Sequence, residues 1–187
     1  MNCRFVMPLF ALLASAVSVG RAEEIVIDFE QAEIGKPRPT WTEKGVVFNL
    51  AGPLTTSKAT GRIMFFPHLA TNHKGILNAM ATEQDIPVQA TLPSNASTVT
   101  LVLWGSTGCP ALLEALDGNG EVVDKASVSA VPGRKAPADP IPFFKLTVKA
   151  PEGSAIAAIR FSGPRDGEFL AADEIRFTPV DGKNASR

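Results

Sequence analysis

Two histidines lie close together in the chain and could hold a metal ion or contact a ligand. His68 and His73 stand in the stretch Phe65–Gly75, between two predicted strands. Five residues apart, they could converge on a transition metal only if this loop folds back, and zinc needs three or four ligands. The nearest following carboxylates are Glu83 and Asp85, and neither is a clear third ligand. We expect either a ligand-contacting loop or a packed loop whose imidazoles hydrogen-bond to backbone.

One cysteine, Cys109, could serve as a nucleophile if a histidine reached it. It stands in the turn Gly105–Pro110, which lacks both the GxSxG spacing of a nucleophile elbow and the lysine of a phosphate loop. A small secreted hydrolase using His68 or His73 is therefore one alternative, against an inert Cys109 that packs as a small apolar side chain. Paired carboxylates suited to glycoside hydrolysis are no indication, because a chain with 19 acidic residues contains such pairs by chance.

The elements that must position these residues are predicted to be short strands separated by glycine and proline. Thr98–Trp104 alternates most clearly, and Asp117–Gly120 between two apolar runs predicts a hairpin. Ala111–Leu116 could form a helix locally, but its length and the following turn favour a strand. The pattern predicts an all-β fold, a single antiparallel β-sandwich (jelly roll) of roughly ten strands. The predicted strands cover residues 24–30, 45–50, 62–66, 86–92, 98–104, 111–116, 121–131, 143–150, 155–162 and 168–177.

Residues 1–22 have the pattern of a secretory signal peptide. Arg4 precedes the apolar run Phe5–Val19, and Gly20 and Ala22 fit a cleavage site. The run is shorter than the ~20 residues that span a bilayer, and no later stretch is long enough to span it. We expect export to the periplasm or the medium, a domain at residues 23–178 and a polar tail at 179–187. Only one cysteine remains after cleavage, so no internal disulfide is expected.

The overall composition excludes several classes of function. The chain has 187 residues, with 18 basic and 19 acidic side chains, and 45% of its residues are hydrophobic. Near-neutral charge gives no electrostatic basis for nucleic-acid binding. The apolar content is that of a globular domain and not of a disordered chain.

Three stretches, in their order along the chain, carry a resemblance to a known class of domain. They are IVIDFE at 25–30 with GVVF at 45–48, then LEALDGNGEVVDKA at 113–126, then IAAIRFSG at 156–163 with FLAADEIRF at 169–177. Together they resemble the galactose-binding-like jelly-roll domains of exported bacterial proteins, an architecture that many carbohydrate-binding modules share. The resemblance implies a non-catalytic binding or accessory domain, with a glycan or another cell-envelope component as its partner. A structural or interaction protein without a small-molecule ligand is the other alternative.

The same resemblance implies a structural Ca²⁺ between the first and last strands. The matching positions are Asp28, Glu30 and Asp173, and calcium binds such hard oxygen ligands. From the residues alone, Asp28 and Glu30 equally fit a solvated strand face. Asp173 shares strand parity with Ile175 and Phe177, so it could point inward and accept backbone hydrogen bonds.

Ligand-binding candidates follow from the chemistry of sugars, which stack on exposed aromatic rings. The chain has no tyrosine and two tryptophans. Trp41 lies in the loop 36–41, which lacks apolar neighbours, so we expect it to be exposed. Trp104 ends the strongest strand, where core packing competes with a binding role. With His68 and His73 they form the predicted ligand-binding set. A charged ligand could instead use basic side chains if these cluster, namely Arg38, His68, His73, Lys74, Arg134 and Lys135.

Overall fold

The computed structural model describes residues 22–51, 62–78, 86–136, 139–163 and 169–180. The predicted signal peptide up to residue 21 and residues 181–187 of the predicted tail lie outside the described residues. In the described ranges the chain forms strands and turns, and no helix there is long and apolar enough to cross a membrane. The strands are β1 (Ile25–Ile27), β2 (Trp41–Glu43), β3 (Val46–Leu50), β4 (Ile63–Pro67), β5 (Lys74–Asn78), β6 (Val88–Gly105), β7 (Ala111–Leu116), β8 (Val122–Val128), β9 (Phe144–Lys149), β10 (Ile156–Ser162) and β11 (Leu170–Pro179).

One long strand, β6, belongs to both layers of the sandwich. Its first part, around Val88–Thr91, pairs with β3 and β10, and its second part, Thr98–Leu103, pairs with β9 and β11. One layer therefore runs β4–β5–β11–β6–β9, with β1 beside the far end of β11, and the other runs β2–β3–β6–β10–β7–β8. All strand pairs are antiparallel, as predicted for this fold.

The sequence separates β6 into two strands, whereas the structure joins them. Pro93 lies between the two paired parts, where it removes no ladder hydrogen bond. The pairing partners of β6 change there, so the strand passes from one sheet of the sandwich to the other. A proline between two alternating segments therefore marks a corner here and not a reversal.

Several other predictions are confirmed. Ala111–Leu116 forms β7, and the turn after it leads into β8, with Gly120 at a φ of 83° and Asp117 accepting backbone hydrogen bonds from Asn119 and Glu121. The first and last strands pair, Ile25 opposite Phe177. Two short strands were not predicted: β2, and β5, which follows the histidine-bearing turn.

The main core fills the space between the two layers. Phe29 lies at its centre, with ring centroids 5.3 Å from Phe48 and 5.8 Å from Phe65. A second, smaller cluster covers the outer face of the β4–β5–β11–β6–β9 layer, where Trp104, Leu77 and Ala171 are buried beneath neighbours from other segments. This outer face is where both histidines are found, so it positions the candidate site.

Candidate functional site

The β4–β5 turn carries both histidines at its two ends. The backbone N–H of His68 donates to the carbonyl oxygen of His73 at 2.7 Å, and Asn72, at a φ of 59°, donates its N–H to the carbonyl of His68. The turn therefore folds back on itself, as metal binding by two histidines would require. Nevertheless, the two imidazoles have different surroundings: one is buried and the other is exposed.

His68 is a buried structural residue, only 1% exposed. Its Nε2 lies 2.9 Å from the carbonyl oxygen of Ile141, and its Nδ1 accepts the N–H groups of Ala70 and Thr71 at 3.3 Å. Because Nδ1 accepts, Nε2 carries the proton and donates it. The ring also stacks on Phe143, with centroids 4.6 Å apart. Both ring nitrogens are thus engaged in the packed arrangement that the sequence left open.

Trp104 is also a core residue, 1% exposed, as its alternative interpretation predicted. Its ring is roughly perpendicular to those of His68 and Phe169, with centroid distances of 4.9 and 5.2 Å. Gly75 leaves room for the indole, since a Cβ there would come within 3.0 Å of Nε1. That N–H has no hydrogen-bond partner in the described part of the chain. A surface ligand could reach Trp104 or His68 only if the covering segment moved.

His73 and Asp173 form the polar part of the outer face. The His73 side chain is 57% exposed, and its Nδ1 lies 3.4 Å from Oδ1 of the largely buried Asp173. That oxygen makes no aligned hydrogen bond, so the contact is electrostatic. Burial raises the pKa of the Asp173 carboxyl, the neighbouring His73 opposes this rise, and Glu174 and Glu30 add to it.

The position of Asp173 reflects an irregularity in β11 that the sequence did not reveal. The pairing of β11 with β6 shifts register between Ala172 and Glu174, which leaves Asp173 as the extra residue of a β-bulge. The bulge breaks the parity that Asp173 was expected to share with Ile175. It directs the side chain towards His73, and not to the backbone donors considered from the sequence.

Exposed apolar side chains on the same hairpin were not predicted as site residues. Phe66 is 42% and Leu69 76% exposed, whereas Phe65 is fully buried in the main core. Alternation along β4 sends the two phenylalanines to opposite faces of the strand. We call Phe66, Leu69, His73, Phe143 and Asp173 the outer-face patch.

Trp41 lies apart from the outer-face patch. It is the first residue of β2 and pairs with Phe48 of β3. Its ring lies edge-to-face with that of the core residue Phe65, with the ring centroids 5.1 Å apart. The guanidinium of Arg38 lies 5.0 Å from the centre of the indole. Trp41 is therefore half-buried on a strand, and not exposed in a loop as expected, because pairing with β3 draws it onto the core.

The hydrolase alternative gains part of a catalytic arrangement, but no nucleophile among the described residues. His73 beside Asp173 resembles a base with its orienting carboxylate. However, no serine, threonine or cysteine side chain in the described ranges is hydrogen-bonded to a ring nitrogen of His73, and Thr71 contacts His68. Cys109 is partly buried, with its Sγ 3.9 Å from the carbonyl oxygen of Thr107 in its own turn.

The basic residues considered for a charged ligand do not gather in one place. Arg38 and Lys36 bind Glu33. Lys74 contacts Glu30. Arg134 and Lys135 line a shallow open pocket in the loop between β8 and β9, together with Asp139. The charged-ligand alternative therefore has no single surface among the described residues.

The residues predicted to bind calcium fit the ion poorly. Asp28 is exposed and its Oδ1 accepts the backbone N–H of Glu30. Glu30 accepts two hydrogen bonds from Lys74: its backbone oxygen accepts from Nζ, and its carboxylate accepts from the backbone N–H. Of these three carboxylates, only that of Asp173 has a buried oxygen, Oδ1, without a hydrogen bond. In the described ranges no three His, Cys, Asp or Glu side chains are close enough to share a metal.

The fold is found in solved structures of other proteins. Two cleaved adhesin domains of Lys-gingipain match at TM-scores of 0.51 and 0.50, with 14% and 11% identity; they cover 83% and 85% of this chain and 99% of each adhesin domain, and the second is from Porphyromonas gingivalis. The xylan-binding domain from CBM 22 matches at a TM-score of 0.48, with 14% identity over 86% of this chain and 96% of that one. Neither a protein-family model nor a curated protein matches the chain. The similarity to the two adhesin domains, together with the antiparallel strand pairing, confirms the predicted fold, a jelly-roll β-sandwich.

Proposed function

We propose that the chain is an exported, non-catalytic binding domain that recognises glycans through the outer-face patch. The observation that carries the proposal is the combination of exposed apolar and polar groups on one hairpin and its neighbours. The ring of Phe66 is accessible, and the exposed imidazole of His73 lies beside the carboxylate of Asp173. Binding sites for small molecules combine apolar surface with a few polar groups in this way.

The chemistry of the patch suits a sugar ring. A pyranose presents C–H groups on its faces, which pack against an aromatic ring such as Phe66. Its hydroxyl groups donate to a carboxylate and accept from an imidazole N–H. The exposed imidazole of His73 is available for such a contact, and the largely buried Asp173 lies beside it, with Oδ1 3.4 Å from Nδ1. The fold supports a binding role by analogy alone, since a fold does not define a function.

A protein partner is the second candidate, and Leu69 favours it. Its side chain is largely exposed, and Phe66, three residues earlier on the same hairpin, is exposed as well. Clusters of exposed apolar groups mark interaction surfaces. A sugar gains little from an aliphatic side chain at this position. Substitution of Phe66 or His73 should therefore weaken glycan binding more than substitution of Leu69 does.

Glycan-array screening followed by calorimetry with the strongest oligosaccharide tests the proposal. We expect Phe66→Ala and His73→Ala each to weaken binding about tenfold or more, which corresponds to ~1.4 kcal/mol. Val122→Ala is the matched control, because Val122 is a similarly exposed apolar side chain on β8 of the other layer. The proposal is contradicted if both variants bind the oligosaccharide as tightly as the unsubstituted protein, or if the unsubstituted protein binds no glycan on the array.

Export is tested separately by expression in a bacterial host that carries the secretion machinery. We expect the protein in the periplasm or medium to begin at Glu23, directly after the predicted cleavage site. Amino-terminal sequencing of the recovered protein measures this. Retention in the cytoplasm with Met1 or Asn2 at the terminus would contradict it.

A further inference from the structure

Two consecutive residues at the start of β5 each contact one of the acidic residues implied as calcium ligands. His73 places Nδ1 3.4 Å from Oδ1 of Asp173. Lys74 donates from Nζ to the backbone oxygen of Glu30 at 2.5 Å and from its backbone N–H to Oε1 of Glu30 at 3.2 Å. The same short segment thus supplies a basic group to the segment after β1 and to β11.

These contacts join the segment after β1, β5 and β11, as a structural ion bound by the same segments would do. Calcium joins segments by accepting six to eight oxygen ligands from them. Here β5 pairs with β11 through Ile76 and Ala172, and Lys74 joins that pair to the segment after β1. The ammonium group of Lys74 already binds the backbone oxygen of Glu30, and its positive charge opposes a divalent cation at short range.

We propose that Lys74, assisted by His73, takes the place of a structural calcium ion at this junction, so that the domain is stable without divalent metal. The proposal does not depend on the ligand of the outer-face patch. It has a specific consequence. Removing the ammonium group frees the backbone oxygen of Glu30 while Asp173 retains a buried oxygen without a hydrogen bond, and the junction then becomes able to bind a cation.

Thermal unfolding of the protein and of Lys74→Met, each in calcium and in a chelator, tests this. We expect calcium to leave the Tm of the unsubstituted protein unchanged. Lys74→Met should melt at a lower temperature in chelator and recover with calcium, because a ligand that binds only the folded state raises Tm by mass action. Lys44→Met is the matched control: Lys44 also donates from Nζ to a backbone oxygen, that of Val26, at 2.7 Å. It should show no response to calcium.

Two results would overturn the proposal: a calcium-dependent rise in the Tm of the unsubstituted protein, or a Lys74→Met variant that calcium does not stabilise. Lys74→Arg keeps the positive charge and should behave as the unsubstituted protein does. If Lys74→Met does not fold in chelator, refolding it with calcium decides the matter. Recovery of the folded state supports the proposal, and failure to recover overturns it.

Discussion

His68 donates a hydrogen bond from Nε2 to the carbonyl oxygen of Ile141 at 2.9 Å, across a sequence separation of 73 residues. This bond and the stacking of the imidazole on Phe143 fix the end of the loop between β8 and β9 to the β4–β5 turn. The histidine that the sequence offered as a ligand-contacting residue therefore holds a covering segment in place over Trp104.

His68→Ala should lower the free energy of unfolding by about 2 to 3 kcal/mol, since it removes a buried ring and leaves the carbonyl of Ile141 without its donor. Urea denaturation followed by tryptophan fluorescence measures this. His73→Ala is the control, and its effect should stay below about 1 kcal/mol because its side chain is exposed. Equal losses for both variants would contradict a structural role specific to His68.

Gly105→Ala should destabilise the end of β6, because a Cβ at this position would lie 2.5 Å from the backbone oxygen of Phe169. Backbone must shift to relieve that contact, at a cost of about 1 to 3 kcal/mol. Gly118→Ala, in the β7–β8 turn, is the control, since a Cβ there meets nothing within 4 Å. Equilibrium unfolding of the two variants compares them, and a neutral Gly105→Ala would show that the two segments are not in close contact.

The hairpin turn should lose stability in acid. Backbone N–H groups of Glu121 and Asn119 hydrogen-bond to the Asp117 carboxylate and lower its pKa. A carboxyl with a lowered folded-state pKa stabilises the fold above its unfolded-state pKa, and this contribution is lost as pH falls through the folded-state value. Asp117→Ala should therefore unfold at lower urea concentration at neutral pH but not in strong acid. Glu121→Ala leaves the backbone donors to Asp117 intact, so it should keep the pH dependence of the unsubstituted protein.

Asp173 should have the opposite effect on the pH dependence of stability. Burial raises the pKa of its carboxyl, with Glu174 and Glu30 acting in the same direction and His73 against it. The folded state then binds the proton more tightly than the unfolded chain, so stability falls as pH rises from the unfolded-state pKa through the folded-state pKa. Asp173→Asn should remove this fall.

Urea midpoints measured across that pH range, for the protein and for Asp173→Asn, provide the comparison. Asp28→Asn is a matched control on an exposed carboxyl. His73→Ala removes the opposing charge and should extend the fall in stability to higher pH. A pH profile unchanged by Asp173→Asn would show that this carboxyl does not titrate differently in the folded state.

Local pattern was sufficient to predict most of the fold, because alternation and turn residues act over a few positions. Ala111–Leu116 and the Asp117–Gly120 turn are examples. The site was harder to predict, because its chemistry depends on pairings between distant segments. The burial of His68 depends on a loop far along the chain, and the orientation of Asp173 depends on a bulge set by the register against β6. The exposure of Phe66 could have been predicted from the alternation of β4, since Phe65 faces the core and its neighbour must face the other way.

The strand that passes through both layers also constrains how this sequence can change over evolution. Side chains alternate with a period of two, so one residue inserted into a strand reverses which of its side chains face the core. In β6 an insertion before Pro93 would misalign β3 and β10, and one after Asn95 would misalign β9 and β11. Length changes should therefore be tolerated at the corner between these two positions and selected against on either side of it.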